Sequence, residues 1–142
     1  MGPGAPQSSL WTAQEPPKTL SKNWVSWINK KIASSSTDDI SIYECINFAR
    51  GAVTPTLNPK AIECLQNSIK KDPNYADAWI WLADRKRAQH SSFSMTDKFK
   101  YMLDDASKEI DKGLILDPEH AFGYAAKLQI EFYNNNWEEM FN

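Results

Sequence analysis

AIECLQNSIKKDPNYADAWIWLA, residues 61–83, decides the fold. Ala61, Ile62, Leu65, Ser68 and Ile69 recur at helical spacing and predict one inner stripe. Lys70 and Lys71 suit the negative C-terminal end of a helix. Asp72-Pro73 stops it, because proline disfavours helical geometry in the residue before it. Asn74 recaps the chain, and a second helix is predicted from Ala76 to about Gln89, with Trp79, Leu82 and Ala83 facing its core. The phrase returns at residues 106–128 as ASKEIDKGLILDPEHAFGYAAKL. Superposing the two Asp-Pro stops brings Ala61 onto Ala106, Leu65 onto Ile110, Ser68 onto Gly113 and Trp79 onto Tyr124. Two copies of helix, Asp-Pro, helix predict an all-α chain of antiparallel helix pairs.

Outward from that stretch, Asn58 at the cap and Pro59 in the first turn start the helix containing Ala61. Before it, a helix is predicted from Asp38, capped by Ser36 or Thr37, with Asp38 and Asp39 at its positive end. Gly51 to Thr56 break it, Pro55 forbidding continuation. Further upstream, Ser21 caps an amphipathic helix to about Ala33, with Leu20, Trp24, Trp27, Ile28 and Ile32 on its apolar face. That face is expected to pack on the next helix. Residues 1–19 hold four of the eight prolines and no apolar period, so they predict a flexible leader or linker in which Trp11 is the one anchor. Downstream, His90 to Met95 is a polar loop. Ser94 or Thr96 caps a helix to Leu116, with Phe99, Met102, Leu103, Ala106, Ile110 and Gly113 in step. Asp117-Pro118 ends it, a helix follows from Glu119 to about Tyr133, and Trp137 opens one more. The predicted organisation is residues 1–19 as leader, 20–37 as N-terminal helix and loop, and 38–142 as repeats, the last one truncated.

A chain of 142 residues, 42% apolar and 24% charged, is ordinary globular material for one or two small domains. Its net charge of -2 gives no global pull toward nucleic acid or anionic lipid. Lys22, Lys30 and Lys31 beside the N-terminal aromatics are too sparse for a nucleic-acid patch. No apolar run approaches the ~20 residues of a membrane helix, and the N-terminus lacks the pattern of a secretory signal. Cys45 and Cys64 make neither a disulfide framework nor a metal site, so buried free thiols and a reducing, cytoplasmic setting are expected. His90 and His120 lack zinc-site spacing and read as surface or capping residues. Asp104 and Asp105 lie on adjacent helix faces and cannot both point at one substrate. They read as a solvated face. With no catalytic constellation, no cofactor motif and no metal-ligand spacing, the expectation is a non-enzymatic chain.

The paired phrases resemble the tetratricopeptide repeat, whose period is 34 residues. In that family a small residue opens the second helix of each pair, a large one and another small one follow, and proline closes the unit. An aromatic, a leucine and a small residue mark the next helix, places filled here by Trp79, Leu82 and Ala83. Pro73 to Pro118 spans 45 residues, 11 more than the standard unit, with the excess at His90 to Lys100. Cys45, Phe48 and Ala49 match the markers less well, and Lys127 and Leu128 are one step out of register. The Ile42-Tyr-Glu-Cys45 opening, the lengthened unit ending in Leu-Asp-Pro and the aromatics before Trp137-Glu-Glu are similar to the repeat regions of bacterial signalling proteins. Those proteins carry nucleotidyl cyclase or winged-helix transcription-regulating domains, and neither domain's pattern is present here.

The resemblance implies an α-solenoid whose concave face comes from the helices at Asp38, Ala76 and Glu119. Its exposed positions would be Tyr43, Ile46 and Arg50, then Asp77, Ile80, Trp81, Asp84 and Arg87, then Phe122, Ala126 and Gln129. Trp81 stands out, because Trp79 already takes the core role and a tryptophan two residues on points elsewhere. A clamp for a peptide's terminal carboxylate is disfavoured: of Ile46, Arg50, Trp81, Phe122 and Ala126 only Arg50 could serve. The implied function is a regulatory or scaffolding module that binds a protein or peptide in its groove, with no direct nucleic-acid or membrane contact. The alternative is self-association, a homodimer through an apolar C-terminal end of Phe132, Tyr133, Trp137, Met140 and Phe141.

Overall fold

The structure, a computed structural model, describes residues 21–92 and 100–134, all helix, turn or irregular backbone with no strand among them. The leader with Trp11, the Ser94 and Thr96 caps, Phe99, and the helix at Trp137 with Met140 and Phe141 lie outside the described residues. Six helices follow in order: α1 (Ser21–Ser35), α2 (Ile40–Gly51), α3 (Asn58–Lys71), α4 (Ala76–Ser92), α5 (Lys100–Leu116) and α6 (Ala121–Tyr133). The chain divides into two units between Ile32 and Ala33. On α1, Trp27 and Ile32 are more than half exposed. No described helix is long and apolar enough to cross a membrane.

Within the second unit each helix from α2 onward packs on the next, and α4 also touches α2 and α6. Two apolar clusters result, and α4 is their common wall. Ala78 and Leu82 join Ile42, Cys45, Ile46, Ala49, Ala61 and Leu65. Ala76, Ile80 and Ala83 join Ala106, Ile110, Leu114, Ala126 and Ile130. A helix packed against four others needs small apolar residues on several sides, and the alanines of ADAWIWLA supply them.

The two Asp-Pro turns are copies at atomic detail. Asp72 N–H donates to Ser68 O at 2.9 Å, and Asp117 N–H donates to Gly113 O at 2.9 Å. Tyr75 N–H reaches Asp72 O and His120 N–H reaches Asp117 O, both at 3.3 Å. Trp79 Nε1 donates to Pro73 O at 2.8 Å, and Tyr124 Oη donates to Pro118 O at 2.7 Å. Every pair is separated by the same 45 residues as the prolines. Trp79 is therefore half-buried and strapped over its turn rather than sunk in the core. The superposed pairs Ala61 and Ala106, Leu65 and Ile110 are all fully buried, as the repeat requires.

Three local expectations change. The cap of α2 is Asp39, whose carboxylate accepts from Ser41 N–H at 2.9 Å. Asn58 lies one residue inside α3, with Leu57 at the cap position. Its side-chain amide instead donates to Arg85 O and Gln89 Oε1, both at 2.8 Å, tying α3 to α4. Cys45 and Cys64 form a disulfide between α2 and α3, their Cα atoms 5.9 Å apart and so within bridging range. Sequence spacing could not reveal that both thiols face the same seam. The bridge removes the argument for a reducing compartment that free thiols carried.

Candidate functional site

The helices α2, α4 and α6 run parallel, because side chains meet in the same order along them. From α2 to α4, the Tyr43 ring sits edge-on to Tyr75 at 5.8 Å, and further along Arg50 lies over Trp81 at 5.7 Å. From α4 to α6, Asp77 meets His120, then Trp81 stacks on Phe122 at 4.5 Å with 26° between the rings. Towards the C-terminal ends, Arg87 lies with Leu128, Gln129, Phe132 and Tyr133 around a cleft of about 410 Å³. Edge-to-face and stacked ring pairs each contribute ~0.5–1.5 kcal/mol beyond burial, so the rungs hold the row of helices as well as decorating it.

At the N-terminal end the polar chemistry is specific. Tyr75 Oη donates to Asp77 Oδ2 at 3.0 Å. His120 Nε2 donates to Asp77 Oδ1 at 2.5 Å, and His120 Nδ1 accepts from Gly123 N–H at 3.1 Å, capping α6. Burial pushes the Asp77 carboxyl up, but the His120 hydrogen bond and charge, the Tyr75 hydroxyl and Arg50 outweigh it and hold the group below the usual carboxylate range. The hydrogen bond to Asp77 raises His120, against its burial. Burial, then the Asp77 charge, drives Tyr75 far up, so its hydroxyl stays a donor. Hydroxyl, carboxylate and imidazole adjoin, yet both ring nitrogens are engaged and Tyr75 is buried. No nitrogen is left to take a proton from a substrate hydroxyl, so the cluster positions α4 against α6.

Behind Trp81, Arg85 is buried with its guanidinium carbon 5.9 Å from the ring centroid. Its Nη1 donates to Ala52 O at 3.0 Å, at the end of α2, and its Nη2 to Asp84 Oδ2 at 2.7 Å. Asp84 also takes Arg87 Nε at 3.1 Å and Nη2 at 2.9 Å. Trp81 thus lies between one exposed arginine, Arg50, and one buried one, with Phe122 across its face. Lys86, also buried, pairs with Glu109 at 2.5 Å and with Asp105 at 3.6 Å, so Asp105 is an ion-pair partner while Asp104 is exposed. Among the described residues no group of three or more His, Cys, Asp or Glu could hold a metal ion.

The residues expected to line one concave face fall into three sets. Tyr43, Arg50, Asp77, Trp81 and Phe122 come together as the cluster above, and all have exposed or half-exposed surface. Arg87 and Gln129 line the cleft at the other end of α4. Ile46, Ile80, Asp84 and Ala126 are buried, at 2%, 0%, 4% and 1% exposure, and are not surface positions. The reason is geometric: α2 and α6 each touch α4, so the residues between them are covered, and Ile80 also packs on α5. Ile80 fills the space left by Gly113 and Gly123. Sequence reasoning also passed over Tyr75 and Arg85, and gave His120 only a cap. Tyr75 and His120 are 45 residues apart, so the repeat offset would have paired them. Nothing in the sequence marks Arg85 as buried.

Comparison with known proteins adds no relative: no family model matches the chain, and neither curated proteins nor solved structures give a match.

Proposed function

We propose that the chain is a non-catalytic helical-repeat module of tetratricopeptide type, which binds a protein or peptide segment across the face formed by α2, α4 and α6. The observation that carries this reading is the Arg50, Trp81, Phe122 row. It spans all three parallel helices and leaves an exposed cation and two half-exposed rings side by side. Tryptophan and arginine are the side chains that most often dominate binding energy at interfaces. The identical hydrogen bonds at the two Asp-Pro turns support a repeat array with this face as its inner row. In keeping with the family resemblance, the module would serve a regulatory or scaffolding role in a larger bacterial signalling or transcription-regulating protein. The test compares partner recovery by the wild-type chain, Trp81→Ala and Arg50→Ala, each checked for native helicity by circular dichroism. Recovery falls at least tenfold in both folded variants if the face binds. Unchanged recovery in both rejects it.

A further inference from the structure

The two sulfurs of the α2–α3 bridge are unequally placed. Cys45 is 3% exposed and stands in the core cluster with Ile42, Ile46, Ala49 and Leu65. Cys64 is only partly buried and packs at the margin of that cluster. One end of the bridge therefore belongs to the interior, and the other to a side of α3 that solvent reaches. A disulfide is opened by a thiolate that attacks one of its sulfurs, and access decides which one. The surface beside Cys64 is basic. Lys60 precedes it at the i, i+4 spacing that sets side chains next to each other, about 5–6 Å apart at Cβ. It is exposed and has no hydrogen-bond or ion-pair partner among the described residues. Glu63 is the one acidic residue of α3, against Lys60, Lys70 and Lys71.

We propose that Cys64 is a thiol-exchange site, at which an anionic small thiol of the glutathione type opens the bridge and loosens α2. The thiolate attacks Cys64 Sγ. A new sulfur–sulfur bond forms there as the Cys64–Cys45 bond breaks, and Cys45 leaves as a thiolate that takes a proton from water. The incoming sulfur is oxidised and Cys45 is reduced, so the step needs no further oxidant. Attack by Cys45 on the mixed disulfide expels the small thiol and restores the bridge. Both states pack, because a free Cys45 is a small apolar side chain in an apolar cluster. They differ in how α2 is held. It packs chiefly on α3 and α4, through Ile42, Cys45, Ile46 and Ala49. Its polar tie to α3 is Lys71 with Ser41 and Asp39, an exposed pairing that contributes little. Tyr43 and Arg50 ride on α2, so opening the bridge loosens their side of the face, whether or not that face binds a partner.

The test starts from the wild-type chain purified without reductant, which should show no free thiol when titrated in denaturant. Reduced glutathione should open the bridge in the folded chain faster than the chain unfolds in a urea jump. Peptide mapping after an acid quench should place glutathione on Cys64 and the free thiol on Cys45. Amides of α2 should then exchange with deuterium at least about tenfold faster than in the bridged chain. Lys60→Glu, an exposed change, should slow opening by glutathione at low salt at least about threefold and leave opening by neutral mercaptoethanol unchanged. Single-cysteine chains check the two sulfurs separately, with folding followed by circular dichroism. Cys45→Ser should take one glutathione from glutathione disulfide while folded, and Cys64→Ser should take it only in urea. Free thiols in the untreated chain overturn the proposal, as does opening no faster than global unfolding. Glutathione found on Cys45, unchanged α2 exchange after opening, or no slowing by Lys60→Glu overturns it as well.

Discussion

Replacing Gly113 by alanine sets two effects of known sign against each other. Gly113 lies inside α5, where alanine is favoured over glycine by ~1 kcal/mol because it restricts the unfolded chain and suits the helix. Against that, the new Cβ would lie 2.6 Å from Ile80 Cγ1 and 3.3 Å from both Ile80 Cδ1 and Trp79 Cβ. Ile80 is fully buried, and its Cγ1 is the root of the branch, so relief requires turning a β-branched side chain or moving α4. Overpacking of this kind costs about 1–3 kcal/mol, so the clash should win. The expected result is a net loss of up to about 2 kcal/mol, read at that upper end as a fall of roughly 4–8 °C in Tm and confirmed by urea unfolding. In an Ile80→Ala background the obstacle is gone, and Gly113→Ala should become stabilising by ~1 kcal/mol. A double-mutant cycle therefore departs from additivity, the double variant being more stable than the two single changes sum to. Gly113→Ala raising Tm in the wild-type chain, or having the same effect in both backgrounds, would refute the close approach of α4 and α5.

Gly123→Ala should be nearly neutral by thermal melting. Its nearest obstacle, at 2.7 Å, is the terminal methyl Cδ2 of Leu114, a side chain at the edge of the core that can turn away. Leu65→Ala and Ile110→Ala remove superposed, fully buried side chains and should each cost about 2–5 kcal/mol in urea unfolding. A loss below 1 kcal/mol at either site would mean that the two units do not share a core position. The hydrogen bond to Asp77 favours the protonated ring, so the folded His120 pKa lies above its unfolded value, although the added proton falls on Nδ1 and ends its acceptance from Gly123 N–H. That stabilisation is fully present below about pH 6.5 and is lost as pH rises through the folded pKa. His120→Asn keeps a capping side chain without the charge. Its Tm deficit relative to wild type should therefore be largest near pH 5.5 and shrink by pH 8; a deficit independent of pH rejects the charge pair. Asp77 is shifted the other way, so its contribution holds above about pH 3.8 and fades as pH falls through its folded pKa. Asp77→Asn should cost least at the most acidic pH at which the chain still folds.

What the sequence determined by itself was local and periodic. Apolar spacing, the two Asp-Pro stops and the matched phrases 45 residues apart specify the helices α3 to α6, their turns and their buried pairs. These follow from backbone sterics and from apolar residues returning to one side every turn, which nearby sequence controls. It also picked out Tyr43, Arg50, Asp77, Trp81 and Phe122, which do meet on one face. The tertiary structure decided which sides of α4 are free. Ile46, Ile80 and Asp84 read as surface positions on isolated helices and become interior ones because α2 and α6 press on α4 and Ile80 also packs on α5. Likewise the facing of Cys45 and Cys64, the burial of Arg85 against Ala52 O, and the sharing of Asp77 by Tyr75 and His120 join groups far apart in the chain. Periodicity gives the angle of a residue on its own helix. Only the packing of neighbours says what stands at that angle.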